Sequence, residues 1–185
     1  MKGAKSASKR IERCDRKALR TFLSGIGRVA VVGLGNEYRG DDAAGIAFAR
    51  MLKERVKMGG KLVVIEAGMN LVATLKEIEE CRPSRVLIVD AADLRIIDGW
   101  RIISESEIVE RGISTHENNV AMCVRYLNAV LPKLDIMFVD IQFHDLEVTE
   151  SLELSPKVSD SIRDLADLVS ESVARSGPSD LEIMG

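Results

Sequence analysis

Four apolar runs of strand length divide the chain, at 28–32, 61–66, 85–90 and 134–141. They are rich in Val, Ile and Leu and do not alternate with polar residues, the pattern of strands covered on both faces. Between them apolar residues return at helical spacing. Ile46, Phe48, Ala49, Leu52 and Val56 mark a helix from about 42 to 57, stopped by Met58-Gly59-Gly60. Leu71, Leu75 and Ile78 mark one over 70–80, with Asn70 as its cap, broken by Pro83. A third covers 119–131 and ends at Pro132, and a fourth covers 157–174 with Pro156 in its first turn. Gly99–Ile103 reads as a further strand, antiparallel or at an edge, after the turn Ile97-Asp98-Gly99. Strands alternating with helices predict an α/β fold. The expectation is a single domain with a twisted, mostly parallel five-stranded sheet and helices on both faces, of the phosphorylase/hydrolase-like kind.

The first three strands each finish at or just before a carboxylate: Asp41 and Asp42, Glu66, and Asp90. In an open α/β sheet ligands bind outside the carboxyl ends of the strands. The acids are therefore expected along one functional rim. Residues 1–27 lie outside this alternation. They are basic, with Ile11, Leu19, Phe22 and Leu23 as a short apolar stripe closed by Ser24-Gly25. This predicts a frayed tail running into a surface helix beside the first strand, its charges solvated, with a contact surface for an acidic partner as the other reading. The expected division is 1–27 as basic helical extension, 28–175 as α/β domain, and 176–185 as loose tail.

Composition narrows the function. Of the 185 residues, 46% are hydrophobic and 30% charged, which suits a globular domain with a sizeable core. A net charge of −3 and only 4% aromatics argue against a nucleic-acid partner. No apolar run reaches the roughly 20 residues of a membrane helix, and no signal peptide is recognisable. Cys14, Cys81 and Cys123 are odd in number and widely spaced, so they read as spectator thiols in a reducing cytoplasm.

Three constellations could carry chemistry. Gly33-x-Gly35 suggests a dinucleotide loop, but Tyr38 stands where a third glycine is needed, and two acids occupy the place of a pyrophosphate. Gly33-Leu-Gly-Asn36 with Tyr38 also resembles the start of peptidyl-tRNA hydrolases, yet Arg39-Gly-Asp-Asp replaces the segment bearing their catalytic histidine. The third is a metal site of Asp42, Glu66 and His116, two carboxylates and one imidazole from three loops. His144, the other histidine, reads as a surface residue. Asp41 reads as a helix-start acid, with a supporting group behind the ligands as the other reading, and Asp90 either braces His116 or solvates the rim.

Gly33 to Gly45 resembles the Gly-x-Gly-Asn-x-x-x-x-Asp-Asp/Glu-x-x-Gly signature of the hydrogenase maturation proteases. Val89-Asp90-Ala91, Ser114-Thr115-His116, Ile141-Gln142 and Leu154-Ser155-Pro156 resemble further segments of that family, in the same order. The similarity runs from about Arg28 to Val169. Ala43 stands where the family often has glycine, and Glu66 where it commonly has aspartate.

The resemblance implies a cytoplasmic endopeptidase that removes the C-terminal extension of a nickel-iron hydrogenase large-subunit precursor after nickel insertion. It implies Asp42, Glu66 and His116 as catalytic and metal-contacting residues, and nickel that belongs to the substrate and is held transiently. It leaves open the hydrogenase served, the general base and the cleavage sequence. A monomer is expected. The glycines would give room for a backbone to pass close, the substrate tail being one candidate. The alternative is a non-enzymatic metal- or nucleotide-binding module.

Overall fold

The computed structural model describes residues 2–56, 60–104, 107 and 117–175. Met58, Gly59, Ser114, Thr115, His116 and the expected tail 176–185 lie outside them. In chain order the elements are α1 (Lys2–Ser24), β1 (Val29–Leu34), a 3-10 turn (Gly40–Ala43), α2 (Ala44–Arg55), β2 (Leu62–Gly68), α3 (Leu71–Cys81), β3 (Arg85–Ala92), β4 (Trp100–Ile103), α4 (Glu117–Val130), β5 (Asp135–Gln142) and α5 (Pro156–Arg175).

The five strands form one sheet in the order β2-β1-β3-β5-β4. Neighbours are parallel except β4, which runs antiparallel to β5 at the edge. The α/β architecture expected from the sequence is thus present. Both faces are covered, which is why the strands lack alternation. Val29, Val31, Val64, Leu87, Val89, Val139 and Ile141 pack on one side with residues of α1, α2 and α5. Ala30, Val32, Ile65, Val86, Ile88 and Phe138 pack on the other with residues of α3 and α4. Strand residues therefore sort by parity onto the two faces.

Local signals set most boundaries. The Asn70 side chain accepts from Ala73 N at 3.4 Å and caps α3. Arg82, in the left-handed conformation at φ 45°, ends it before Pro83. Pro156 opens α5. Two differences from the sequence reading matter for the site. Residues 40–43 form a 3-10 turn, so α2 starts at Ala44 and the adjacent acids precede it. And β2 runs two residues beyond Glu66: Gly33 pairs with Glu66 and Leu34 with Gly68, which makes Ala67 a bulge. Glu66 thus lies within its strand.

α1 is more firmly seated than a surface tail. Leu19, Phe22 and Leu23 are buried in the core. Its packing partners are α5 and β4, with β1 not among its main contacts. Two of its cations meet acids of α5: Arg16 grips both oxygens of Asp164 at 2.5 Å, and Arg20 lies 4.0 Å from Glu171. Trp100 Nε1 donates to the same Asp164 at 3.0 Å, and the Arg16 guanidinium sits over the indole ring at 5.7 Å.

Candidate active site

From β1 the chain crosses to β2 on one side, while β3 flanks β1 on the other. An α/β sheet opens its ligand crevice at such a reversal, outside the carboxyl ends of the two strands. The 3-10 turn after β1 and the end of β3 border this crevice.

The glycines of the first loop let the chain fold onto itself there. A side chain on Gly33 would collide with the Gly45 carbonyl, and one on Gly45 with the carbonyls of Leu34 and Val89. The start of α2 thereby lies directly against β1 and β3. Gly35, at φ +136°, receives the Asp42 carbonyl where a Cβ would stand. Asn36 N donates to that carbonyl at 3.1 Å, and Asp42 N donates to Arg39 O at 3.0 Å. The room the glycines provide is occupied by the protein's own turn rather than by a passing substrate tail. That turn fixes the backbone of Asp42, whose side chain is half-buried.

Asp41 is fully buried and has a different task from the one the sequence suggested. It stands in the first turn of the 3-10 segment, but its carboxylate is spent on a distant stretch of chain. Oδ2 accepts from His144 N, Asp145 N and the Ser155 hydroxyl, each at 2.9 Å. Oδ1 accepts from Ser155 N at 2.7 Å, and Asp41 N donates to Asp145 O at 2.8 Å. The acid thus clasps both ends of the connection from β5 to α5. Gln142 organises the adjacent loop, its Oε1 accepting from Leu94 N at 2.8 Å and Ile96 N at 3.3 Å.

Asp90 is the acid nearest the crevice on β3. It pairs in register with Asp140 of β5. Both share parity with Ile88 and Phe138, so both side chains lie on the face covered by α3 and α4. Burial pushes the Asp90 carboxyl up to about 8, the negative charges of Asp140 and Asp42 push the same way, and the Ala91 N–H at 2.8 Å opposes them. Asp42, Asp90 and Asp140 therefore form one electrostatic group. On this face α4 begins at Glu117, the residue after His116. His116 itself lies outside the described residues.

Glu66 is placed differently. It sits on edge strand β2 and shares parity with Leu62 and Val64, on the face of α2. Arg50 Nε donates to its Oε2 at 2.9 Å and Lys53 Nζ to its Oε1 at 2.8 Å, while Arg50 also reaches Glu37 at 2.9 Å. Burial disfavours its charge, but the hydrogen bonds from Lys53 and Arg50 outweigh this and hold its pKa below the usual range. Both oxygens of Glu66 are thus committed to cations of α2.

His144 lies on the rim with Nε2 3.2 Å from Asp98, which Lys157 also meets at 3.0 Å. Cys14 is exposed, Cys81 half-buried and Cys123 buried, and none forms a disulfide. Among the described residues no three His, Cys, Asp or Glu side chains are grouped to hold a metal by themselves. The sequence left open whether Asp90 braces His116 or solvates the rim, and the structure places it beside the crevice. Its signals were its place at the end of a central strand and the parity it shares with Val86 and Ile88.

Comparison with known proteins gives this arrangement relatives. The family profile described as hydrogenase maturation protease, HycI, matches residues 46–172. The hydrogenase 3 maturation protease of Escherichia coli strain K12 is 36% identical over 112 residues, 59% of this chain and 69% of that protein. The crystal structure of the nickel-iron hydrogenase maturation protease HycI from Thermococcus kodakarensis KOD1 superposes with a TM-score of 0.76 at 26% identity, covering 85% of this chain and 99% of that one. The solution structure of the endopeptidase HycI from Escherichia coli gives 0.62 at 25% identity, covering 81% and 94%.

Proposed function

Because the chain belongs to the hydrogenase maturation protease family, and is accordingly an endopeptidase, we propose that its substrate is the large-subunit precursor of a nickel-iron hydrogenase. In this reading it removes the C-terminal extension after nickel insertion. Family membership sets aside the non-enzymatic alternative. The catalytic unit in this reading is 28–175, acting as a cytoplasmic monomer, with 1–27 a basic helical extension docked on it and 176–185 a tail. Among the described residues no helix is long and apolar enough to cross a membrane.

Asp42, His116 and a second carboxylate contact the precursor's nickel and hold the scissile peptide beside it. The resemblance nominated Glu66 as that carboxylate. The geometry favours Asp90. The observation that carries this choice is the placement of Asp90 at the β1–β3 crevice, electrostatically coupled to Asp42, on the face where α4 begins. Glu66 faces α2 and is held by Arg50 and Lys53. Nickel held by the precursor would supply Lewis acidity, at the peptide carbonyl or at the attacking water. Hydrolysis adds water across the C–N bond, and a carboxylate beside the bound peptide takes the water's proton and returns one to the departing amine.

The test is cleavage of a nickel-loaded precursor. Asp42→Ala, His116→Ala and Asp90→Ala are each expected to lower the rate by about 100-fold or more, in line with losing a group that contacts the reacting centre. Glu66→Ala is expected to keep most activity. Full activity in Asp90→Ala with loss in Glu66→Ala would return the role to Glu66. Normal processing by Asp42→Ala and His116→Ala would overturn the site as a whole.

A further inference from the structure

An exposed apolar side chain gives back none of the stabilisation that burial provides. Exposed large apolar residues in this protein follow a pattern on the carboxyl rim. Each of the four parallel strands is followed by a loop carrying one. Tyr38 follows β1 at 59% exposure, Met69 follows β2 at 53%, Ile97 follows β3 at 77%, and Val148 follows β5 at 85%. Val72 in the first turn of α3 and Met122 on α4 extend the set. The other exposed large apolar residues among those described, Ile11, Ile26, Tyr126 and Val130, lie on α1, on α4 or in the loop that precedes β1, and none on a loop that follows a strand.

These loops are adjacent in space. Gly35 N donates to Gly68 O at 3.0 Å, joining the loops of β1 and β2. Thr149 N donates to Tyr38 O at 3.0 Å, bringing Val148 beside the β1 loop. Phe143 N donates to Ala92 O at 3.4 Å and Gln142 N to Gly99 O at 3.0 Å, joining the loops of β3 and β5. The loops bearing Met69, Tyr38, Val148 and Ile97 thus border the crevice that Asp42 of the 3-10 turn and Asp90 and Asp140 of β3 and β5 line. Asp41 and Gln142 pin two of the ring's segments by buried and part-buried hydrogen bonds, so the apolar tips stand on a braced support.

We propose that this ring is the docking collar for the precursor: Tyr38, Met69, Ile97 and Val148 seat on an apolar surface of the folded large subunit that surrounds its metal. The proposal rests on the functional reading above. Charge complementarity and continuity select the occupant. The centre of the collar carries the carboxyls of Asp42, Asp90 and Asp140, and the four apolar tips stand among exposed charges such as Arg39, Arg95 and Asp145 on the same loops, so the matching surface offers apolar seats around a cation, as a metal-loaded subunit presents. A peptide tail alone would need one or two of these tips. Four tips on four loops fit a broad surface.

The experiment replaces Tyr38, Met69, Ile97 and Val148 together with serine, positions whose exposure spares the core. Capture of the nickel-loaded precursor is measured on Asp42→Ala protein with and without the four substitutions, and cleavage kinetics on protein retaining Asp42. Binding is expected to weaken by about tenfold or more, with the loss in cleavage falling on KM rather than kcat. Unchanged capture and KM would overturn the collar and leave the protease reading standing. Capture that depends on the collar, with no cleavage by the protein retaining Asp42, would support the collar and overturn the protease reading. A dimer that sediments apart only in the serine variant would make a second copy of this chain the occupant and overturn the proposal.

Discussion

Strand β3 begins with Arg85 and carries Asp90 near its end, and the two residues meet burial in opposite ways. Arg85 is 5% exposed, yet its guanidinium donates to the carbonyls of Phe22, Gly25, Ile26 and Gly27, the last turn of α1 and the chain leaving it. A buried cation is thereby matched by four dipoles, and α1 is tied to the sheet. Asp90 is kept from ionising first by burial and then by the negative charges of Asp140 and Asp42. The entering rim answers the Nη donors of Arg85 with the protein's own carbonyls, while its buried Nε has no hydrogen-bond partner among the described residues and burial pushes its pKa down. The leaving rim gathers carboxyl groups that repel one another when ionised, so Asp90 keeps its proton until a cation from outside takes its place. In the proposed function one strand thus divides stability from catalysis between its two ends.

The sharpest test of this division compares activity with stability. Asp90→Ala should lower precursor cleavage by about 100-fold or more while the protein remains folded at 25 °C; loss of folding instead would make Asp90 a structural residue. Arg85→Met should do the reverse. Leaving several carbonyls without their donor should lower unfolding free energy by roughly 2–4 kcal/mol, read as a drop in the denaturant midpoint, with kcat near normal in the folded protein. Similar midpoints for Arg85→Met and wild type would remove the contrast.

A third test uses pH. The folded protein holds a proton on Asp90 up to about 8, whereas the unfolded chain releases it near the ordinary aspartate value of 3.8. Through that window the folded state binds more protons than the unfolded state, so this group makes stability fall as pH rises from about 4 to about 8 and then level off. Asp90→Asn should match wild type in acid and be more stable above pH 8, as measured by urea denaturation of metal-free protein. A constant difference across pH would break the electrostatic account. The smallest effect belongs to Glu66→Gln. Its ion pairs with Arg50 and Lys53 are part-exposed, and their loss should change stability by about 0–1 kcal/mol, with cleavage largely retained.

Much of the fold was legible because both faces of the sheet are covered. That covering made 28–32, 61–66, 85–90 and 134–141 read as unbroken apolar strands, and the helices between them showed their period. It also concealed the faces. With no alternation in β2 or β3, nothing local told that Glu66 points to α2 and Asp90 to α3 and α4. Strand order was hidden as well. That β2 is an edge strand and β1–β3 the crevice follows from long-range pairing. Asp42 was readable because a glycine pattern surrounds it. The task of Asp41 was not, since its partners are His144, Asp145 and Ser155, far along the chain. The basic N-terminal stretch read as solvated, and two of its arginines instead meet acids of α5, the element most distant in sequence.

The Asp41 clasp has a consequence for the order of assembly. It closes loops of 103 to 114 residues, and such closures form late because chain entropy opposes them until neighbouring elements have docked. During synthesis the turn bearing Asp42 would emerge early but lack its bracing until Ser155 and α5 leave the ribosome. The nascent enzyme would therefore stay silent through most of its own translation and gain its activity in one late step. Stopped-flow refolding should find cleavage competence appearing together with the docking of α5. Competence preceding that docking would refute this order.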